Sequence, residues 1–442
     1  MKRLVATVGL AAFGAAGLQA QTIPTLTANP TKPWSVSGTL RGFYDDNLNT
    51  APEGTHKQGV FGFEVSPNLA FQWGNDQTKV SAAYVYSFKY YDHTPTGQSQ
   101  RYDQDHAFNI ALEHAFSHRT QLVAGDSFVV GQEPDYLRAG NSLATFQRIP
   151  GNNIRNYGSI SLKEQFTRLF GIEVGYNNAY YDYAAHGVGG DPNTAIIPSE
   201  SGILDRIEHT LHLDTLWTLQ PETVLVFGYQ FRWADYTGNE EIGFQTVNGE
   251  PVGVMSSDRN YEEHYAYLGV NHVFRPDLSA SARVGARFID FYNDPNGNGN
   301  GWGPYAQLTL DWTYAQDSGI EIGLSEDINT TDITGQTASV DAASSFTSSQ
   351  ETTVIWGSLH HRFTPRLRGS VMAQFQNGTF KGGGGEFNNK SEQDYLVGLN
   401  LNYQFSPHWS TELGYNYDKL SSELPNRSFD RNRVYIGVTA GY

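Results

Sequence analysis

A short stretch of the chain holds a serine of the kind that nucleophilic catalysis uses. Residues 125–128 read Gly-Asp-Ser-Phe, so Ser127 follows an acidic residue. A serine nucleophile needs a histidine base that is oriented by a carboxylate. Hydrolases with this kind of serine block usually carry Asp-x-x-His near the carboxyl terminus, but Phe405 stands three places before the last histidine, His408. The sequence therefore predicts no catalytic residues and no enzyme, and it favours a strand interior for residues 125–128.

The thirteen histidines raise the question of a metal site. His360 and His361 are adjacent, and His209 and His212 are three apart. On a strand, residues at these spacings point to opposite faces, so neither pair can chelate a metal from one face. We therefore predict no metal site of this kind and no cofactor.

A Gly/Asn-rich segment offers a second possible ion site. Asp294, Asn296 and Asn298 have the spacing of the first ligands in a calcium loop. Tyr305, however, occupies the position that should supply a bidentate glutamate. The pattern favours a solvated loop, with weak, millimolar-range calcium binding as the alternative.

Composition excludes several classes of protein. The 442 residues carry a formal charge of −17 and include 26 Tyr, 25 Phe and 46 Gly but no Cys, so disulfides cannot stabilise the fold. A mean hydropathy of −0.46 excludes a bundle of membrane-spanning helices, each of which needs about 18 or more apolar residues. An acidic chain without basic clusters argues against nucleic acid as a partner.

The amino-terminal residues have the pattern of an export signal. Lys2 and Arg3 precede an apolar stretch over residues 4–18, and Ala20 stands at the predicted cleavage point before Gln21. We predict a signal peptide over residues 1–20, an extended periplasmic lead-in over 21–33, and one barrel domain over 34–442.

From Trp34 onward, apolar and polar residues alternate with a period of two. In residues 395–405, for example, Tyr395, Val397 and Leu399 alternate with Gly398 and other small or polar residues. Segments of about ten or more residues with this alternation are typical of strands that cross an outer membrane, whereas strands of soluble sandwiches are usually about five or six residues long.

The connections between these segments alternate between short and long. Four short ones follow near-copies of one strand end, in which Phe precedes a polar residue and usually Pro: residues 112–118, 270–276, 359–365 and 401–407. Counting the segments gives eighteen. We therefore predict an all-β fold, a closed antiparallel transmembrane β-barrel of about 18 strands with both termini in the periplasm and no strand edge left in lipid.

The last predicted strand ends on an aromatic residue. Val434, Ile436, Val438 and Ala440 form an apolar face that runs to the terminal Tyr442. This ending resembles the assembly signal of outer-membrane proteins, so Tyr442 is predicted to be read by the barrel assembly machinery.

Alternation also predicts which charged side chains face the lumen. The predicted pore-lining residues are Arg41, Glu173, Arg232, Arg283, Arg287, Asp311, Glu321, Arg366, Arg368 and Glu412. Basic residues on one strand facing acids on the next two would create a transverse field across a pore. The alternative is a solvated lumen in which the charges pair. The long loop from Gly131 to Asn152 resembles in position the constricting loop of general porins.

Four stretches in the first third resemble a known family. They are Gly42 to Asn47, Asp105 to Phe116, Gly125 to Phe128, and Gln132 to Pro134. With the hairpin repeat, they make the chain similar to the putative beta-barrel porin 2 family. The resemblance implies an outer-membrane barrel of a diderm bacterium, and some such relatives are associated with surface polysaccharide production.

The predicted function is a porin-like channel in the outer membrane for passive diffusion of small polar solutes. Sixteen to eighteen strands, roughly, enclose a lumen that wall side chains alone do not fill. The alternative is a barrel component of a surface-polysaccharide secretion system. Expected partners are outer-membrane lipids, the barrel assembly machinery, and small polar solutes or saccharides.

Overall fold

The computed structural model describes residues 32–95, 100–134, 143–146, 148–184, 199–248, 250–294, 299–332, 347–382 and 387–442. The predicted signal peptide (1–20) and residues 21–31 of the predicted lead-in lie outside these residues. From Trp34 onward the described residues form an antiparallel sheet of 18 strands.

The wall strands have the lengths that the alternating segments predict. They are β1 Trp34–Asp45, β2 Val60–Gly74, β3 Thr78–Tyr91, β4 Tyr102–Ala115, β5 Thr120–Gly131, β6 Asn153–Gln165, β7 Phe170–Asp182, β8 Arg206–Gln220, β9 Thr223–Tyr236, β12 Tyr261–Arg275, β13 Leu278–Asp290, β14 Gly301–Ala315, β15 Ser318–Asn329, β16 Ser349–Arg362, β17 Leu367–Lys381, β18 Ser391–Ser406, β19 Trp409–Ser422 and β20 Phe429–Gly441.

The sheet closes on itself. β1 pairs with β2 on one side and with β20 on the other, in a register that runs from Ser37 opposite Gly441 to Asp45 opposite Arg433. Closure gives each wall strand two neighbours, which satisfies the backbone groups that would otherwise face lipid. The prediction of a closed barrel of about 18 strands is confirmed.

No helix among the described residues is long and apolar enough to span a membrane.

The repeated strand ends place aromatic rings on the outer face beside the short turns. The ring centroids are 4.5, 4.4 and 4.7 Å apart in His114–Phe116, His272–Phe274 and His361–Phe363. In each pair the histidine Nδ1 is hydrogen bonded to a hydroxyl group: His114 to Thr78 and His272 to Thr223 on neighbouring strands, and His361 to Tyr314 on β14, two strands away. Such rings suit a membrane interface because one part is apolar and the other can be hydrated. The histidines thus have a structural role.

Three short elements lie in the long connections and were not expected from the alternation. Helix α1 spans Glu200–Leu204, strands β10 (Glu241–Val247) and β11 (Glu250–Met255) form a separate hairpin, and a 3₁₀ turn spans Ser256–Arg259. The Ser199 side chain accepts a hydrogen bond from the Gly202 backbone and so caps α1. These elements are too short to show a clear period in the sequence.

Candidate functional site

The described parts of the loop between β5 and β6, residues 132–134, 143–146 and 148–152, contact opposite walls of the barrel, and we call them the crossing loop. The backbone N–H of Leu143 donates to the Gln376 side chain (3.0 Å), whose amide donates back to the Leu143 carbonyl (3.2 Å). Gln376 lies on β17, which is ten strands from β5 in one direction and eight in the other. The loop therefore bridges opposite walls, as a constriction requires.

Apolar side chains seat the far end of the crossing loop on the wall. They form one buried cluster of Leu143, Phe146, Leu396, Leu420 and Phe429. Because Leu396, Leu420 and Phe429 lie on three consecutive wall strands, they make an apolar patch inside an otherwise polar lumen. Leu396 is the one large apolar side chain on the otherwise small or polar inward face of residues 395–405, and its contact with the loop explains it.

Ion pairs hold the near end of the loop. Glu133 accepts hydrogen bonds of 2.8 and 2.9 Å from Arg431, which also contacts Asp45 at 2.6 Å. Arg148 donates to Asp103 at 2.6 Å, with both side chains buried. Burial alone would raise the pKa of Glu133, but attraction to Arg431, Arg433 and Arg148 holds that pKa well below its usual range. Glu133 is therefore ionised at any physiological pH.

Other loops join the crossing loop in a small core inside the barrel. This core contains Ile149, Tyr183, Ile203, Leu204, Ile242 and Val254. It brings together the crossing loop, helix α1 and the β10–β11 hairpin, all from the ends of the strands opposite the short turns. The loops therefore pack together as one unit at the end of the barrel opposite the short turns.

Two buried arginines attach this unit to further loops. Arg259 is fully buried and donates to the carbonyls of Ile203 and Thr331, each at 2.8 Å. Arg427 contacts Asp332 at 2.8 Å and Glu392 at 3.2 Å. These contacts join loops that are far apart in the sequence.

Helix α1 carries a carboxyl group in this region. Burial, together with the nearby charge of Asp332, raises the pKa of Glu200 to about 7, against the opposing effect of Arg427. Glu200 is therefore partly protonated near neutral pH, which limits repulsion between α1 and Asp332.

One group of lumen charges is buried between four wall strands. Arg232 donates to Glu263 at 2.6 Å, and Arg287 lies 3.6 Å from Glu263 and 3.5 Å from Asp327. The Tyr265 hydroxyl donates to Glu263 at 2.9 Å. Glu263 and Arg287 are 0% and 1% exposed, so these charges pair with one another rather than face an open lumen.

A second group of charges is more accessible. Arg41 contacts Glu64 and Glu412, each at 2.8 Å, and its guanidinium lies 4.5 Å from the ring centroid of Tyr435. The Arg41 side chain is 27% exposed to solvent. This group offers a solute a cation, carboxylates and an aromatic face together.

The strand register places the predicted pore-lining residues on the inner side of the wall or at its rim. Glu173 lies opposite Lys163 and Asp214, and Asp311 lies opposite Glu321. Arg366 is exposed in a short turn, and Arg368 is 3.8 Å from Asp317. Their role in lining an open pore stays a prediction. Arg283 and Arg287 do not lie opposite Asp311: their partners on β14 are Gln307 and Gly303, whereas Asp311 lies opposite Ser279.

Some residues of the site were missed by the sequence reasoning. Glu263 and Asp327 carry lumen charges that the alternation could have identified, since they share the inner face with Tyr265 and Ser325. Arg259 and Arg427 lie in loops, where no period indicates a direction.

Glycine and aromatic residues are paired across neighbouring strands on the inner wall. A Cβ added at Gly228 would lie 2.1 Å from the Tyr267 ring, and one at Gly414 would lie 2.0 Å from the Tyr435 ring. Trp356 covers Gly323 in the same way. The rings therefore lie flat against the wall only because their neighbours lack a side chain, which accounts for part of the high Gly and Tyr content.

We expect Gly414→Ala to destabilise the folded barrel by about 1–3 kcal/mol, the usual effect of overpacking, because the new methyl group displaces Tyr435. The midpoint of urea unfolding, followed by heat-modifiable mobility on gels, measures this. Gly42→Ala on β1 is the matched control, since nothing lies within 4 Å of a Cβ there. Equal unfolding midpoints for the two variants would show that the position of the Tyr435 ring does not depend on a glycine at residue 414.

The Gly-Asp-Ser-Phe stretch at residues 125–128 and the adjacent His360 and His361 are parts of the wall. Asp126 and Ser127 are consecutive residues of β5 and point to opposite faces, as do His360 and His361 on β16. Among the described residues, no group of three or more His, Asp or Glu side chains is arranged to hold a metal ion. Of the calcium-like segment, residues 295–298, including Asn296 and Asn298, lie outside the described residues.

A family model matches the carboxy-terminal third of the chain. The model for putative beta-barrel porin 2 covers residues 292–442, which contain β14 to β20. The match therefore lies outside the first third, where the four motif-like stretches were found. Among curated proteins, none matches the sequence.

Several solved structures resemble the chain weakly. A BenF-like porin from Pseudomonas fluorescens Pf-5 is 11% identical and aligns over 93% of this chain and 99% of its own, with a TM-score of 0.44. OccAB4 from Acinetobacter baumannii is 11% identical over 93% of this chain and 99% of its own, with a TM-score of 0.42. OpdK from Pseudomonas aeruginosa, crystallised with vanillate, is 11% identical over 92% of this chain and 99% of its own, with a TM-score of 0.39.

The barrel geometry and the family match point to the same cellular location. The wall is closed, and its outward side chains include exposed Leu40, Phe61, Leu268 and Ile436. Such a surface is stable in lipid and not in water. The chain is therefore a porin-like barrel of the bacterial outer membrane, and its similarity to the putative beta-barrel porin 2 family is confirmed over residues 292–442.

Proposed function

We propose that the barrel is a channel for passive diffusion of small polar solutes, and that the crossing loop limits their size. The observation that carries this proposal is the bridge from Leu143 to Gln376 on the opposite wall, supported by the Glu133–Arg431 ion pair. A loop held at both ends inside a wide barrel is suited to narrow a channel without needing an energy source. The family match and the barrel favour a channel over an enzyme.

The polar inner face of the wall favours the passage of polar rather than apolar solutes. Thr39 and Thr439 are hydrogen bonded to each other on the inner face at 2.8 Å, and so are Ser281 and Thr309 at 2.6 Å. Arg41, Glu64 and Glu412 add charges that remain partly accessible. The described residues show no feature that favours the alternative, a role in surface-polysaccharide secretion.

Planar-bilayer recording tests the proposal, and we expect single channels with a weak preference for cations. Loss of residues 1–20 would remove Lys2 and Arg3, leaving 27 basic and 46 acidic residues and a charge of −19. Because charges act over about 8 Å at physiological salt, the preference measured from reversal potentials should fade as salt rises. Anion preference would contradict the expected selectivity, and no conductance at all would contradict the channel.

We also propose that the barrel assembly machinery reads the terminal strand through Tyr442. The Tyr442 backbone pairs with Val36 at 2.9 Å, so the residue completes the β1–β20 seam, while its side chain is 68% exposed on the outer face. Residues 1–20 would direct export and be removed, which mass measurement of the mature protein can test.

Deleting Tyr442 should slow insertion and lower the yield of folded barrel, because the deletion removes a seam contact and the outward aromatic ring. Heat-modifiable mobility of protein from isolated outer membranes measures the yield. Tyr442→Phe is the control, since it keeps the ring and the backbone and should insert normally. An unchanged yield after the deletion would contradict the proposal.

A further inference from the structure

One arginine of the inner wall is buried without a partner. Arg283 on β13 is 6% exposed, and its Nε is enclosed without a hydrogen-bond acceptor. Within the described ranges, its terminal nitrogens make no hydrogen bond, and no carboxylate lies within 4.0 Å of them. Arg232 and Arg287, by contrast, are paired with Glu263. A buried charge without a partner is unfavourable, so Arg283 has donors to offer to a group from outside the chain.

The wall sets the direction of the Arg283 side chain. Arg283 lies opposite Gly269 on β12, and a Cβ added at Gly269 would be 2.9 Å from the Arg283 Cγ. The same Cβ would be 2.7 Å from the carbonyl oxygen of Ala282, so only glycine fits here. The other neighbour of Gly269 is Val226 on β9. The Arg283 side chain therefore lies across Gly269 and leans from β13 towards β9 and β8.

Two carboxylates lie on the side to which Arg283 leans. Asp214 on β8 is directly opposite Glu173 on β7, and its Oδ1 accepts a hydrogen bond of 2.6 Å from the Tyr267 hydroxyl. Arg283 interacts electrostatically with Glu173 and Tyr267 but contacts neither carboxylate within 4.0 Å. Glu173 has no hydrogen bond or ion pair with any described residue, including Lys163 opposite it. A guanidinium and two carboxylates thus face each other across a gap.

These three charges lie between the crossing loop and the short turns. Arg283, Asp214 and Glu173 are five, six and three residues from the short-turn ends of β13, β8 and β7. The crossing loop leaves β5 at the other end of the barrel, after Gly131. A solute that moves along the channel therefore meets the loop and the three charges at different depths.

We propose that Arg283, Glu173 and Asp214 bind a small zwitterion such as an α-amino acid, and we call them the zwitterion site; this rests on the proposed channel. Arginine presents a planar fork that binds a carboxylate through paired hydrogen bonds. Glu173 and Asp214 offer acceptors to the ammonium group. The two carboxylates would repel a simple anion and the guanidinium a simple cation, so the site favours a solute that carries both charges.

Saturation-transfer NMR of the whole barrel in detergent tests the site without requiring conductance. We expect glycine to bind more tightly than acetate or methylammonium, each of which carries only one of its charges. Arg283→Gln should weaken glycine binding about tenfold or more, because charge-assisted hydrogen bonds are lost. Arg275→Gln is the matched control, since it removes the same charge from a side chain that is 55% exposed at the end of β12. Equal glycine binding by these two variants would overturn the proposal.

Glu173→Gln separates a site for zwitterions from a site for anions. Loss of the Glu173 charge should weaken glycine binding severalfold and strengthen acetate binding, because the repulsion of a carboxylate falls. A purely structural role of Glu173 would not move the two affinities in opposite directions. Acetate binding that does not increase, or acetate that binds the wild type as tightly as glycine does, would overturn the proposal.

Folding and conductance are measured on the same proteins. Heat-modifiable mobility should be unchanged in the Arg283→Gln and Glu173→Gln variants, since neither side chain is paired within the described part of the wall. Planar-bilayer recording then separates the two proposals. A barrel that conducts ions but does not bind glycine would overturn the zwitterion site alone. A barrel that binds glycine without conducting would contradict the channel and support the site.

Discussion

Replacing Glu133 with alanine should give a larger and noisier single-channel conductance. Glu133 makes charge-assisted hydrogen bonds to Arg431 at the near end of the crossing loop. Such bonds contribute roughly 1.5–3 kcal/mol each, so their loss shifts the balance between attached and detached loop by about tenfold or more. Arg431 stays paired with Asp45, so the wall itself should remain folded. Planar-bilayer recording of the purified barrel measures the change.

Glu53→Ala is the control for this experiment. It removes the same charge from a long loop, but the Glu53 side chain is exposed and only its backbone is bonded, to Ser428. We expect its conductance to equal that of the wild type. If Glu133→Ala also matched the wild type while folding normally, the crossing loop would not be held by this ion pair.

Replacing Glu263 with glutamine should markedly lower the stability of the barrel. The substitution leaves Arg232 and Arg287 buried with only Asp327, which is 3.8 Å from Arg232 and 3.5 Å from Arg287. Removing one partner from a buried ion pair typically costs about 3–5 kcal/mol. The midpoint of urea unfolding, followed by loss of the heat-modifiable form, should fall accordingly.

Glu113→Gln provides the matched comparison. Glu113 pairs with Lys79 at 3.1 Å, but the two side chains keep 56% and 68% of their exposure. An exposed pair contributes about 1 kcal/mol or less, so the midpoint should barely move. Similar shifts for Glu263→Gln and Glu113→Gln would mean that the Glu263 group is hydrated and does not stabilise the wall.

The sequence by itself determined the wall of this protein. A period of two assigns each strand residue to a face, and that rule needs no knowledge of neighbouring strands. It therefore predicted the number of strands and the inward direction of Arg41, Arg232 and Glu412. Short connections with a repeated strand end indicated the order of strands, because an antiparallel hairpin joins neighbours in sequence.

Only the tertiary structure decided how the lumen is occupied and which charges meet. Arg431 and Asp45 are 386 residues apart, and Arg431 and Glu133 are 298 apart, so no local pattern could pair them. Loops have no sequence period that indicates the direction of a side chain. The crossing loop turns inward because it packs against the apolar patch of Leu396, Leu420 and Phe429 and pairs with the buried Arg431. Closure of the barrel brings these groups together.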